Sequence, residues 1–218
     1  GFILQNTAAI LVLELAAGLL GASSVPLDSK RDTKERKTFK LQDAQVRLVF
    51  VRTDEPGIEE EIKDIRKETA STEFVLFETD EKLFEMFREI YKEGDFAESS
   101  IEDEYLLLYT SGTTANPKGV PLRLRAVLAN AMGIIEWQQL SQEDRFNIVL
   151  PLHHINSTTM SLATLLAGGT ILLNSRYSAS RFWQVASSRK VTITSIVPTI
   201  LHDLLARKEE YFSKEYPL

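Results

Sequence analysis

Tyr105-Leu106-Leu107-Leu108-Tyr109 runs without a break into Thr110-Ser111-Gly112-Thr113-Thr114-Ala115-Asn116-Pro117-Lys118-Gly119. The first five residues are apolar or aromatic and read as a strand. The next ten carry four hydroxyls, two glycines, one lysine and one proline. Such a density of small donors after a strand suits a phosphate group. Glycines let the backbone approach an anion, hydroxyls and N–H groups donate to its oxygens, and an ammonium neutralises charge. Lys118 precedes Gly119 and Val120, so the Gly-Lys-Ser/Thr order of a Walker A motif is absent. Composition alone also admits a Gly/Ser/Thr-rich surface turn between two strands.

Upstream of this stretch, Ala8 to Leu20 is apolar on nearly every side of a helix. Ala16, Ala17 and Gly18 allow close packing, and Gly21 ends it. It is too short to span a bilayer and carries Glu14 in its middle. Arg47 to Val51 reads as a buried strand. After Pro56-Gly57, the spacing Ile58, Ile62, Ile65 predicts an amphipathic helix whose charged face is solvated. Phe74 to Phe77 reads as another strand, Leu83, Phe84, Phe87, Ile90 and Tyr91 recur at helical spacing, and Gly94 to Glu104 reads as an acidic connection.

Downstream the alternation repeats. A helix is expected near Ala126 to Gln138, a strand at Phe146 to Leu150, a helix near Thr158 to Leu166, and a strand at Thr170 to Leu173 after Gly168-Gly169. Ser180 is placed to cap a helix bearing Phe182, Trp183 and Val185. Val191 to Val197 forms a β-branched strand, and Pro198 opens a last helix through Ala206. Trp183, Phe182 and Val197 read as core. The alternation predicts an α/β fold of layered, largely parallel sheets with flanking helices. Two subdomains are expected, 1–104 and 105–218, the second carrying the loop.

The 218 residues are 44% hydrophobic, enough for one sizeable core or two small ones. Lys and Arg number 25 against 31 Asp and Glu, a net charge of −6, which argues against nucleic acid as a partner. Without cysteine, disulfides and thiolate metal sites are excluded, and a thiol nucleophile has to come from a substrate. A cytoplasmic setting and no transmembrane segment are expected. The chain opens on apolar Gly1-Phe2-Ile3-Leu4 with no initiator Met or basic leader, so it is expected to begin inside a larger protein.

Tyr109-Thr110-Ser111-Gly112-Thr113-Thr114, followed by Pro117-Lys118-Gly119-Val120, resembles the phosphate loop of the adenylate-forming superfamily, in particular its acyl-CoA synthetase branch. Other segments match in the same order. Asn6 and the apolar helix to Gly21-Ala22 and Val25-Pro26-Leu27 resemble the superfamily's segment near its N-terminus. Pro151-Leu152-His153-His154 resembles its Pro-x-x-His turn, Gly168-Gly169 the pair before a strand, and Val197-Pro198-Thr199 the junction into a pocket-lining helix. The run Tyr177 to Trp183 is similar to the CoA-ligase branch.

The resemblance implies an ATP-dependent acid–thiol ligase. A carboxylate, expected to be hydrophobic, attacks the α-phosphorus of ATP to give acyl-AMP and pyrophosphate. CoA or a carrier thiol then takes the acyl group. Thr110, Ser111, Gly112, Thr113, Thr114 and Lys118 are implied to hold the phosphates, with Mg²⁺ offsetting the remaining charge. Lys118 and His154 are the implied catalytic residues, His154 positioning groups between the α-phosphate and the acyl pocket. The resemblance also places His153-His154 at a strand end, where neighbouring side chains in extended chain point opposite ways, against metal binding by the pair.

The sequence departs from the pattern at three places. Ala115 stands where a third glycine is usual, Arg123-Leu124 replaces a Thr-His pair, and Asn156 to Thr158 lacks a glycine. The superfamily's adenine, ribose and metal signatures and its C-terminal lysine are absent, so no metal ligand is assigned. These 218 residues alone are expected not to turn over. Two other functions fit: an adenylation domain that loads a carrier protein, and a non-catalytic interaction domain that kept the ligase architecture.

Overall fold

A computed structural model describes residues 1–90, 98–110 and 117–209. In chain order the elements are β1 (Phe2–Leu4), α1 (Ala8–Leu19), β2 (Pro26–Asp28), α2 (Lys34–Asp43), β3 (Leu48–Arg52), α3 (Ile58–Glu68), β4 (Glu73–Phe77), α4 (Asp80–Ile90), β5 (Glu104–Thr110), β6 (Lys118–Arg123), α5 (Leu124–Gln138), β7 (Arg145–Ile148), α6 (Ile155–Leu166), β8 (Thr170–Leu173), α7 (Ala179–Ser188), β9 (Ile193–Thr194) and α8 (Pro198–Ala206). The chain divides into two compact units, Gly1–Ala126 and Val127–Leu218.

In the first unit a four-stranded sheet runs in the order β2-β1-β3-β4, every pairing parallel. Parallel strands need helical crossovers, and strands covered on both faces become apolar throughout. All three residues of β1 are accordingly buried. Ile3, Leu27, Val49 and Val51 of the sheet pack with Leu41 of α2 and with Ile58, Ile62 and Ile65 of α3. The three isoleucines are the buried residues of α3, so its charge run is the solvated face. Burial of one such side chain contributes roughly 1.5–3 kcal/mol. The helix α1 stops where Gly21 takes a φ of 65°, a left-handed geometry that favours glycine.

Helix α2 lies in Lys-Glu-Arg-Lys-Thr-Phe-Lys-Leu-Gln-Asp, which shows no apolar stripe, and the sequence pattern does not reveal it. Its inward positions include Lys37 and Lys40. Lys37 is 2% exposed, its Nζ donating to Glu61 and to the Ser29 carbonyl, each at 2.8 Å. Lys40 pairs with buried Asp32. Long lysine stems can serve as core once the ammonium is matched. Thr33 caps the helix by accepting from the Arg36 N–H.

β5 and β6 form a separate two-stranded antiparallel hairpin. It joins the first unit through Ser24, whose N–H donates to the Tyr105 carbonyl at 2.9 Å and whose carbonyl accepts from the Leu107 N–H at 2.8 Å. Sequence reading ends the loop at Gly119 and assigns no strand to residues 120–123, because Gly119 and Pro121 interrupt any strand pattern. Proline is compatible with an edge strand, and β6 is one.

The second unit holds a parallel sheet of order β8-β7-β9. Beneath it α6 buries Ser157, Thr158, Thr159, Ser161 and Thr164. Thr159 donates to the Ile155 carbonyl and Thr164 to the Met160 carbonyl, both at 2.8 Å, so these hydroxyls are satisfied inside their own helix. Val149, Phe182, Ile200 and Leu204 form a further cluster on which Trp183 packs. Val197 departs from the core expected of it: it caps α8 and is 42% exposed. The expected strand from Val191 to Val197 shortens to Ile193–Thr194, which pair with Phe146 and Asn147 of β7. No helix among the described residues is long and apolar enough to cross a membrane.

Candidate functional site

The hairpin ends bring two of the expected residues together. Thr110 and Lys118 are paired across the β5–β6 ladder, with Thr110 Oγ1 3.5 Å from the Lys118 carbonyl. Both are exposed. The antiparallel register sets these two residues opposite each other at the end of the hairpin. Ser111, Gly112, Thr113 and Thr114 lie outside the described residues, as does Ala115. Gly119 faces Tyr109 in the ladder. A Cβ there would approach Leu107 Cδ1 to 3.2 Å and the Tyr109 ring to 3.4 Å, so glycine permits the close strand contact.

Tyr109 is the anchor of this end. Its hydroxyl donates to Asp43 Oδ2 at 2.7 Å and reaches the Lys40 carbonyl at 3.3 Å. The Lys40 ammonium lies 5.6 Å from the ring centroid, within cation–π range. Burial, followed by the hydrogen bond and charge of Asp43, pushes the Tyr109 phenol well above its ordinary value, so it remains a donor. Sequence reasoning missed this contact because Asp43 and Tyr109 are 66 residues apart.

His154 lies in the second unit and does not end a strand. β7 stops at Ile148, and Pro151 begins a turn closed by the His154 N–H on the Pro151 carbonyl at 3.2 Å. His154 is the N-cap of α6, its carbonyl accepting from the N–H groups of Ser157 and Thr158. The turn also brings the His153 and His154 rings to 4.4 Å at 54°, so they do not point opposite ways as extended chain would require. His154 is exposed and His153 half-buried. Where a glycine was expected, Ser157 Oγ donates to the Leu150 carbonyl at 3.2 Å and Thr158 Oγ1 to the Leu152 carbonyl at 3.0 Å, fastening the turn to its helix.

The other departures have structural roles. Arg123 ends β6 and pairs with Glu102 at 3.1 Å, while the Leu124 N–H donates to the Asp103 carbonyl as α5 begins. A polar cleft of about 290 Å³ opens at the carboxyl ends of β7 and β8, lined by Asn147, Asn174, Arg176, Tyr177 and Arg181 among others. Ligands of open parallel sheets bind in such a crevice. Asn174 Nδ2 there donates to Asn147 Oδ1 at 2.6 Å. Among the described residues no group of three or more His, Cys, Asp and Glu could hold a metal ion.

The sequence matches the family described as AMP-binding enzyme over residues 1–217. It is 31% identical over 208 residues to a 2-succinylbenzoate–CoA ligase of Bacillus velezensis, covering 95% of this chain and 40% of the relative. It is 43% identical over 101 residues to a sulfoacetate–CoA ligase of Cupriavidus necator, covering 46% of this chain and 20% of that protein. Among solved structures, the inhibitor-bound N-terminal domain of FACL13 from Mycobacterium tuberculosis superposes with a TM-score of 0.85 at 23% identity, covering 99% of this chain and 53% of that one. The chain thus spans less than half the length of these curated relatives.

Proposed function

The chain belongs to the AMP-binding enzyme family, and from that premise we propose that it carries the phosphate-binding part of an AMP-forming acid–CoA ligase. In the proposed reaction a carboxylate oxygen attacks the α-phosphorus of ATP and pyrophosphate leaves. The CoA thiol then attacks the acyl carbon of the acyl-AMP, and AMP leaves as the thioester forms. Charge stabilisation dominates the first step. Lys118 would neutralise the β- and γ-phosphates, Thr110 and the hydroxyls of Ser111, Thr113 and Thr114 would donate to their oxygens, and His154 would orient the carboxylate.

One observation carries this proposal: the register that sets Thr110 against Lys118, the two described residues that flank the hydroxyl-rich run in sequence. The acid is proposed to be hydrophobic and the setting cytoplasmic. Two relatives act on sulfoacetate and 2-succinylbenzoate, so anionic acids belong in the same assay.

The test is pyrophosphate release by the full-length protein with ATP, Mg²⁺ and a panel of acids, with and without CoA. We expect acid-dependent release, a CoA thioester as product, and a loss on the order of 10²-fold in Lys118→Ala and Thr113→Ala. His154→Ala should lower the rate with little change in the KM for ATP. A folded protein that releases no pyrophosphate with any acid would refute the assignment.

A further inference from the structure

We propose that Tyr109 is a positioning residue for Thr110 and Lys118, clamped by Lys40 and Asp43 of α2 so that the hairpin end presents these two residues in a fixed place. The inference rests on the nucleotide role proposed above.

A two-stranded hairpin is marginal by itself. Its tie to Ser24 spans Tyr105 to Leu107, at a distance along the strand from the loop. Nearer the loop Tyr109 reaches α2, with its hydroxyl on Asp43 at 2.7 Å and on the Lys40 carbonyl at 3.3 Å. Its ring lies against Gly119, where a Cβ would already be at 3.4 Å, and 5.6 Å from the Lys40 ammonium. The anchor is itself rigid, because Lys40 is buried and paired with buried Asp32.

Thr110 follows Tyr109 directly and pairs with Lys118. A shift of the tyrosine therefore moves both Thr110 and Lys118. Misplacement by about an ångström can cost as much as 10²-fold in rate, and loss of one hydrogen bond should permit only part of that shift.

The experiment measures pyrophosphate release by the full-length protein in Tyr109→Phe, Asp43→Ala, Asp43→Asn and the Tyr109→Phe/Asp43→Ala double variant. We expect KM for ATP to rise about fivefold in Tyr109→Phe and Asp43→Ala, equivalent to about 1 kcal/mol, with KM for the acid unchanged. The double variant should be no worse than either single one, and Asp43→Asn, which keeps an acceptor, should stay near wild type. Thr72→Val removes a comparable hydroxyl bond of the same unit, 2.7 Å to the Val46 carbonyl, and should leave KM for ATP unchanged.

Lys118→Ala separates the two proposals. If it impairs ATP use while Tyr109→Phe matches wild type, the positioning role is overturned and the phosphate role stands. Additive losses in the double variant, or an equal rise in Thr72→Val, would also overturn the positioning role. A wild-type protein without ATP-dependent release would end both.

Discussion

The lysines buried in the first unit and the hydroxyls buried in α6 of the second find their partners by different means. In the first, Lys37 finds Glu61 on α3, and Lys40 finds Asp32, whose Oδ2 also accepts from the Asp28 N–H. Partners there come from different segments of the chain. In the second, the hydroxyls of Ser157, Thr158, Thr159 and Thr164 in α6 bond carbonyls of their own helix or of the turn before it. Cross-segment pairing stakes the core on charges staying matched, whereas back-bonding is local and indifferent to charge. The first unit should therefore respond to pH and to charge deletion far more than the second.

Glu14 offers the largest test. It is 2% exposed, its Oε1 has no hydrogen-bond partner, and burial pushes its carboxyl up to about 8. The folded unit holds this proton more tightly than the unfolded chain does. Stability is therefore greatest below the ordinary glutamate range and is lost as pH rises from about 4.5 to about 8. The expected loss is on the order of 5 kcal/mol. Urea unfolding across that range should show the decline in wild type and a flatter profile in Glu14→Gln. Parallel profiles would contradict the assignment.

Asp32→Asn should follow, at about 3 kcal/mol, because it leaves the Lys40 ammonium buried without its counter-charge. A midpoint unchanged in urea would show that the pair is not needed. Gly18→Ala should cost about 2 kcal/mol by overpacking, since a Cβ there would come within 2.8 Å of Tyr105 Cε2. Thermal denaturation is sufficient to check it. In the second unit, Thr164→Val removes one back-bond at 2.8 Å and should cost under about 1 kcal/mol with no dependence on pH. A large or pH-dependent loss would erase the contrast between the units.

The same contrast governs what the sequence disclosed. Helix α3 was legible because its inward residues are isoleucines at Ile58, Ile62 and Ile65, and α8 because Pro198 marks its first turn. Helix α2 was hidden because lysines occupy its inward positions, and which ammonium has a partner is a tertiary fact. β9 came out shorter than its β-branched run because strand length depends on pairing, and β7 is itself only four residues long. At the candidate site the proposed phosphate chemistry rests on the residue types between Thr110 and Gly119. The Tyr109–Asp43 clasp could not be read from the sequence, since no spacing encodes a contact across 66 residues, and the turn that seats His154 reads as extended chain until its hydrogen bonds are known.

In the proposed function the hairpin end carrying Thr110 and Lys118 holds the terminal phosphates of ATP. Calorimetric titration of ATP and of AMP into wild type and Lys118→Ala tests it most directly. We expect ATP affinity to fall at least about tenfold in the variant, about 1.4 kcal/mol, with AMP affinity unchanged. Equal losses for both nucleotides, or none for ATP, would contradict it.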